Sequence, residues 1–124
     1  AAGVCYYANY LAFFEMARVE LLRHLGAPIR DAEARGFVFP CVEAHVRYHR
    51  PARLDDLLTV ELWVTELRRS AFSFGYRVTH DGDLVASGAT RHAAVDPVTM
   101  RPQRLPDWLL ALFDAAPGAV QKAT

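Results

Sequence analysis

The stretch that decides the fold is residues 9–25, which read NYLAFFEMARVELLRHL. Apolar residues recur in it at the i, i+3, i+4, i+7 spacing of one helical face, and further apolar residues lie between them. Asn9 suits the N-cap position, and Gly26 suits the position just after the last turn. Because a helix that is apolar on most sides is normally buried, we expect residues 9–25 to form a long central helix.

The other predicted helices are short. One is expected over residues 30–35, with Gly36 ending it. Another is expected over residues 106–115, with Pro106 near its first turn and large apolar residues on one side.

Between these helices the hydrophobic pattern changes to the alternation of strands. Strands are predicted for residues 42–48, 57–67, 72–78 and 84–95. In the first of them, apolar residues from Val42 to Tyr48 alternate with charged ones. This pattern predicts that one face of the strand is buried and the other is exposed to solvent. Asp81-Gly82 separates the last two strands, and Asp-Gly is the strongest short signal for a tight hairpin.

The order of these elements indicates the fold class. One long helix followed by four consecutive strands is typical of an α+β fold with an antiparallel sheet wrapped around the helix. A chain of 124 residues has the size of a single domain, so we expect residues 1–124 to form one. One helix cannot cover both faces of four long strands, and the sequence therefore predicts a homodimer or homotetramer.

Composition excludes several classes of protein. Lys and Arg together number 14, and so do Asp and Glu, which argues against a nucleic-acid binder because such proteins usually have a basic excess. No apolar run reaches the roughly 18 residues of a membrane span. Cys5 and Cys41 are too few for a disulfide framework, so we expect reduced thiols and a cytoplasmic protein.

Common catalytic motifs are absent from the sequence, including the glycine-rich nucleotide loops, the zinc-protease motif and the nucleophile elbow. His45 and His49 have a spacing that would suit a metal on a helix. On a strand they stand about 13 Å apart, too far to share one ion, and no metal site is expected. Glu43 is interpreted as a solvated or paired carboxylate.

The segment with the most chemical interest is residues 3–11, GVCYYANYL, a glycine-containing loop that leads into the central helix. Unpaired backbone N–H groups and the helix dipole favour negative charge at such an end. An oxyanion could be stabilised there, although every helix offers an N-terminus.

This segment resembles the opening of the 4-hydroxybenzoyl-CoA thioesterase family of hotdog-fold proteins, which includes the YbgC-like acyl-CoA thioesterases. That family reads Asp-x-x-Gly-x-x-x-x-x-Asn-Tyr where its central helix starts, and Gly3, Asn9 and Tyr10 stand at that spacing. Further matches are found at residues 14–22, Tyr48, residues 51–57 and residues 104–106. The resemblance implies a hotdog fold and hydrolysis of an acyl-CoA thioester, with no metal or redox cofactor because a thioester is already activated.

The resemblance also implies the catalytic residues. In the family the catalytic Asp, which acts as nucleophile or general base, stands three positions before the glycine. That position falls immediately before Ala1, so the Asp itself is inferred from the resemblance. The backbone N–H of Tyr7 would polarise the thioester carbonyl, and Gly3 would allow close approach of the substrate. Glu15 is a second carboxylate candidate, because a related hotdog group uses a glutamate on the helix.

Five residues are candidates for binding the substrate: Asn9, Tyr10, Arg68, Arg69 and Ser70. Arg68 and Arg69 stand where the family has a basic cluster for the phosphates of coenzyme A, and guanidinium groups bind phosphate bidentately. Some relatives have Lys at the position of Ser70. The alternative is an exposed loop with solvated charges.

Two other functions remain open. The first is a non-catalytic hotdog module that binds acyl-CoA or acyl carrier protein, which becomes the better interpretation if the residue before Ala1 is not acidic. The second is another hotdog chemistry such as a dehydratase, against which the family segments speak. The acyl group is not determined by the sequence.

Overall fold

The computed structural model describes residues 32–50, 58–115 and 118–123 of the chain. Their strands are β1 (Cys41–Tyr48), β2 (Leu58–Leu67), β3 (Ala71–His80), β4 (Asp83–Ala93) and β5 (Gly118–Ala123), and helix α1 (Asp107–Ala115) precedes β5. They form one antiparallel sheet in the order β1-β4-β3-β2-β5. The predicted central helix over residues 9–25 lies outside the described residues.

The four predicted strands and the terminal helix are confirmed with small shifts at their ends. The fourth strand ends at Ala93, and Val95 instead forms isolated bridges with Val38 and Pro102. Strand β5 is missing from the prediction. Its sequence, GAVQKA, has no alternation of large apolar residues, and it becomes a strand by pairing along β2.

The short helix predicted over residues 30–35 is wrong for its described part, because residues 32–35 form successive turns. The N–H of Gly36 donates to the carbonyl of Glu33 at 3.0 Å, and the N–H of Phe37 donates to the carbonyl of Ala32 at 2.8 Å. Gly36 has a φ of 91°. This is the Schellman arrangement, in which a glycine with positive φ ends the run of turns, so Gly36 is the stop that the sequence predicts.

The hydrophobic core lies on one face of the sheet. Buried side chains on that face of β2 and β3 are Leu58, Val60, Leu62, Phe72, Phe74, Tyr76 and Val78. Leu109 and Phe113 of helix α1 belong to the same cluster, and the Phe113 ring lies 5.3 Å from that of Phe72 and 5.8 Å from that of Phe74. Burying each such side chain contributes about 1.5–3 kcal/mol, so this layer holds helix and sheet together.

Buried polar groups within this face satisfy one another. The hydroxyls of Tyr76 and Thr90 share a hydrogen bond of 2.8 Å, and Nε2 of His92 lies 3.0 Å from the same Thr90 oxygen. Nδ1 of His92 lies 3.4 Å from the carbonyl of Phe39. These contacts tie β3, β4 and the chain before β1 together, which compensates for burying the polar atoms.

The β3–β4 hairpin has the predicted turn. Asp81 and Gly82 both have positive φ, 50° and 83°, as a type I′ turn requires.

Strand β1 differs from its predicted burial. Val42 is 53% exposed and Tyr48 41% exposed, and within β1 only Val46 is half-buried. The reason is position, because β1 lies at the edge of the sheet and the core lies over β2 and β3.

Candidate functional site

The described part of the candidate site is the tip of the β2–β3 hairpin. The N–H of Arg68 donates to the carbonyl of Ala71 at 2.8 Å, which leaves Arg69 and Ser70 as the loop. Both loop carbonyls are held by other segments of the chain: the N–H of Leu105 donates to the carbonyl of Arg69 at 2.8 Å, and the N–H of Ala94 donates to the carbonyl of Ser70 at 2.9 Å. The backbone of the tip is therefore fixed, and its side chains project from a rigid base.

The two arginines of the tip have different surroundings. Arg68 forms a two-point ion pair with Glu66, with Nε 3.0 Å from Oε1 and Nη2 3.2 Å from Oε2. Arg69 is exposed and has no ion-pair partner among the residues that the structure describes. Ser70 is half-buried. The three predicted residues, which are consecutive in the chain, thus form the hairpin tip, with one guanidinium already paired.

Two further arginines lie beside the tip and were not predicted as site residues. Arg104 directly precedes Leu105, whose N–H bonds to the Arg69 carbonyl. Arg91 is opposite Ser73 in β3, and Ser73 is opposite Glu66 in β2, so Arg91 and Glu66 share one row on the outer face of the sheet. Only the strand register and the loop contacts reveal these neighbours. We call Arg68, Arg69, Arg91 and Arg104 the basic cluster.

Ionisation of the pair at the tip is set by its own contacts. The hydrogen bond from Arg68 has the largest effect and lowers the pKa of Glu66; desolvation opposes it, and the positive charges of Arg68 and Arg91 lower the pKa further. In return, the hydrogen bond to Glu66 raises the pKa of Arg68. Glu66 therefore stays ionised at neutral pH and neutralises part of the basic cluster.

The remaining predicted residues divide into two groups. Gly3, Tyr7, Asn9, Tyr10 and Glu15 lie outside the described residues. Glu43 is exposed, with Oε2 4.0 Å from Nε2 of His45, in agreement with a solvated or paired carboxylate.

No metal site is found in the described ranges, where no three or more His, Cys, Asp and Glu side chains form a group able to hold an ion. His45 lies on β1, whereas His49 follows the strand and contacts the Ser87 hydroxyl at 2.9 Å. None of the helical residues in the described part of the chain forms a segment long and apolar enough to cross a membrane.

Comparison with known proteins links these features to one family. The model of the Thioesterase-like superfamily matches residues 1–113. The chain is 35% identical over 114 residues to the acyl-CoA thioester hydrolase YbgC of Escherichia coli, covering 91% of the chain and 85% of that protein. It is 34% identical over 120 residues to the 1,4-dihydroxy-2-naphthoyl-CoA hydrolase of Synechococcus elongatus, covering 92% and 88%. The crystal structure of the hypothetical protein TT1821 from Thermus thermophilus matches with a TM-score of 0.81 and 34% identity, covering 91% and 86%.

Proposed function

The chain belongs to the Thioesterase-like superfamily, and on that premise we propose that it hydrolyses an acyl-CoA thioester to a carboxylate and free coenzyme A. This function rests on the match over most of the chain to hydrolases of coenzyme A thioesters. The family and the hotdog fold indicated by the sequence are confirmed, and the chain is an enzyme of the thioester hydrolase class.

The chemistry of the proposal is acyl transfer to water. A new bond forms between a water oxygen and the acyl carbon, the carbon–sulfur bond breaks, and coenzyme A leaves as the thiol. We assign the role of nucleophile or general base to the family's Asp, whose position falls immediately before Ala1, and the oxyanion contact to the backbone N–H of Tyr7. We also assign to Gly3 the close approach of the loop, and to Asn9 and Tyr10 the binding of substrate.

Phosphate binding is assigned to the tip of the β2–β3 hairpin. Arg69 supports this proposal because its guanidinium is exposed on a backbone fixed by Leu105. Arg68 and Ser70 are its neighbours at the tip, and Arg104 adds a further charge from the adjoining segment. Guanidinium groups on a rigid base suit the phosphates of a coenzyme because little order is lost when they bind.

We further propose a homo-oligomer, either a dimer or a tetramer, of single domains spanning residues 1–124. Strand β1 supports this because it is an edge strand with exposed Val42 and Tyr48, and such edges favour pairing with another strand. A cytoplasmic location is part of the same proposal, since Cys41 is an exposed free thiol and a reducing compartment preserves it.

The deciding experiment compares Asp with Asn immediately before Ala1 in otherwise identical chains. We expect the Asp form to hydrolyse acyl-CoA and the Asn form to lose at least about 100-fold in kcat, because Asn keeps the size but removes the nucleophile or base. Circular dichroism checks that both forms fold alike.

Glu15→Gln is the control for the second carboxylate. If Glu15→Gln abolishes hydrolysis and the Asn form keeps its rate, the helix glutamate is the catalytic group. If the chain binds acyl-CoA and no form cleaves it, the non-catalytic binding module replaces the enzyme.

A further inference from the structure

Glu66 is the one acidic side chain with direct contacts to the basic cluster among the residues that the structure describes. Its two carboxylate oxygens lie 3.0 and 3.2 Å from Nε and Nη2 of Arg68. It also lies in the same row as Arg91, whose positive charge acts on it. The carboxylate is thus paired with one guanidinium group of the proposed phosphate site and also feels the positive charge of Arg91.

The geometry of this pair matters because Arg68 uses its side-on edge. Nε and one Nη of a guanidinium form a fork that binds two oxygens of one anion at a time. Both donors of that fork on Arg68 are taken by Glu66. A phosphate must displace the carboxylate to bind this edge, and otherwise it is left with the end-on edge formed by the two Nη atoms.

Displacing Glu66 is feasible because the pair is not buried. The side chains are 65% exposed for Arg68 and 40% exposed for Glu66. Exposed ion pairs are weak and exchange readily with water and salt. Glu66 therefore acts as a removable competitor and not as a fixed structural partner.

We propose that Glu66 is a specificity-determining residue that competes with the phosphates of coenzyme A for Arg68 and so weakens nucleotide binding. The inference rests on the proposed function, since it takes the hairpin tip as the phosphate site. Its consequence for the reaction is faster release of product, because the free coenzyme carries the same phosphates as the substrate. Glu66 holds Arg68 between turnovers and returns to it when coenzyme A leaves.

The test is the dissociation constant of free coenzyme A, measured by calorimetry on the whole chain. Glu66→Gln keeps the size of the side chain and removes its charge, and we expect it to tighten binding about three- to tenfold at low salt, with the gain shrinking as salt is raised. Pantetheine, which lacks the nucleotide, should bind the variant and the wild type equally.

Two further variants separate this mechanism from a general change in charge. Glu61→Gln makes the same change on the same face of β2, about 16 Å away along the strand, and should leave the affinity unchanged. In an Arg68→Ala background, Glu66→Gln should no longer tighten the binding of coenzyme A, because Glu66 competes with the phosphates through Arg68.

The opposite results overturn the inference. A Glu66→Gln variant with unchanged or weaker binding of coenzyme A shows that Glu66 orients Arg68 and does not compete for it, and an equal gain for pantetheine excludes a phosphate effect. Because the readout is binding, it is independent of hydrolysis: a chain that binds coenzyme A as expected and cleaves no thioester contradicts the proposed function and leaves this inference standing.

Discussion

Arg68 and Arg69 are adjacent in the sequence, yet their side chains have different surroundings: the first is paired with Glu66 and the second is exposed without a described partner. The sequence alone gives no reason to expect that the positive charges of the two residues differ in their availability to a ligand. At the scale of single residues, the contacts of each side chain decide how much of its charge is offered to a ligand.

The double variant Arg68→Ala/Arg69→Ala tests the phosphate assignment. We expect KM for acyl-CoA to rise about tenfold or more with kcat nearly intact, since contacts made equally in the ground and transition states affect binding alone. For an acyl-pantetheine thioester, KM and kcat of the same variant should equal those of the wild type. Steady-state kinetics on both substrates measure this, and an equal loss on both would remove the tip from the phosphate site.

Asp96 gives a prediction about pH. Its Oδ1 accepts hydrogen bonds from the N–H groups of Thr99 and Val98, at 2.9 and 2.8 Å, and these bonds lower its pKa. A carboxyl whose pKa is lower in the folded state stabilises the fold above its unfolded pKa, and this contribution is lost as the pH falls through the folded pKa.

Asp96→Ala should therefore unfold at a lower temperature than the wild type at neutral pH. The difference in Tm should shrink on acidification from about pH 5 downward, once Asp96 of the wild type takes up its proton. Thermal unfolding of both proteins across this range measures it. A difference in Tm that stays constant with pH would show that the Asp96 side chain stabilises the fold without its charge.

At the scale of elements, the two hairpins of the sheet are held by different means. The β3–β4 turn is made by its own residues, Asp81 and Gly82, which adopt the positive φ that the turn requires. The β2–β3 tip is held from outside, through the bonds from Leu105 and Ala94 to its two loop carbonyls. The first could be predicted from a dipeptide, whereas the second depends on segments more than twenty residues further along the chain.

Gly75 in β3 tests the packing between neighbouring strands. A Cβ at this position would lie 2.7 Å from Cε2 of Trp63, directly across on β2. Gly75→Ala should push the indole off the strand and lower the free energy of unfolding by about 1–3 kcal/mol. Chemical denaturation of the variant and the wild type measures this change.

The control is the same substitution beside a smaller partner. In a Trp63→Val background, Gly75→Ala should cost nothing or stabilise the strand, because the clash is gone and alanine restricts the unfolded chain. An identical penalty in both backgrounds would mean that the backbone of Gly75, and not the indole, requires glycine.

At the scale of the whole molecule, the edge of the sheet is the feature with the clearest consequence. Strand β1 is one of the two edge strands of the described sheet, and its apolar Val42 and Tyr48 are exposed. We expect sedimentation velocity to show a dimer or a larger species at micromolar concentration. A folded monomer under those conditions would contradict the proposed assembly.

A matched pair of variants locates the interface. Val42→Lys places a charge on the exposed edge strand and should shift the sedimentation distribution toward smaller species, as lysine does on natural sheet edges. Val98→Lys makes the same change at a loop residue that is 88% exposed, and it should leave the distribution unchanged. Equal effects of both would remove β1 from the interface.

The sequence by itself determined the features that depend on short-range pattern. Alternation placed β1 to β4, the Asp-Gly dipeptide placed one turn, and the spacing of Gly3, Asn9 and Tyr10 indicated the family that the comparison confirmed. Each of these signals lies within a few residues, where backbone preference and side-chain period act directly.

Only the tertiary structure decided which distant segments meet. It placed β4 between β1 and β3, added β5 to the free edge of β2, and set Arg104 beside Arg69 and Glu66 in one row with Arg91. The physical reason is that strand pairing depends on which edge is free and which face is buried, and these are properties of the assembled sheet. The sequence of β5, GAVQKA, has no regular alternation of large apolar residues and so does not show which strand it pairs with.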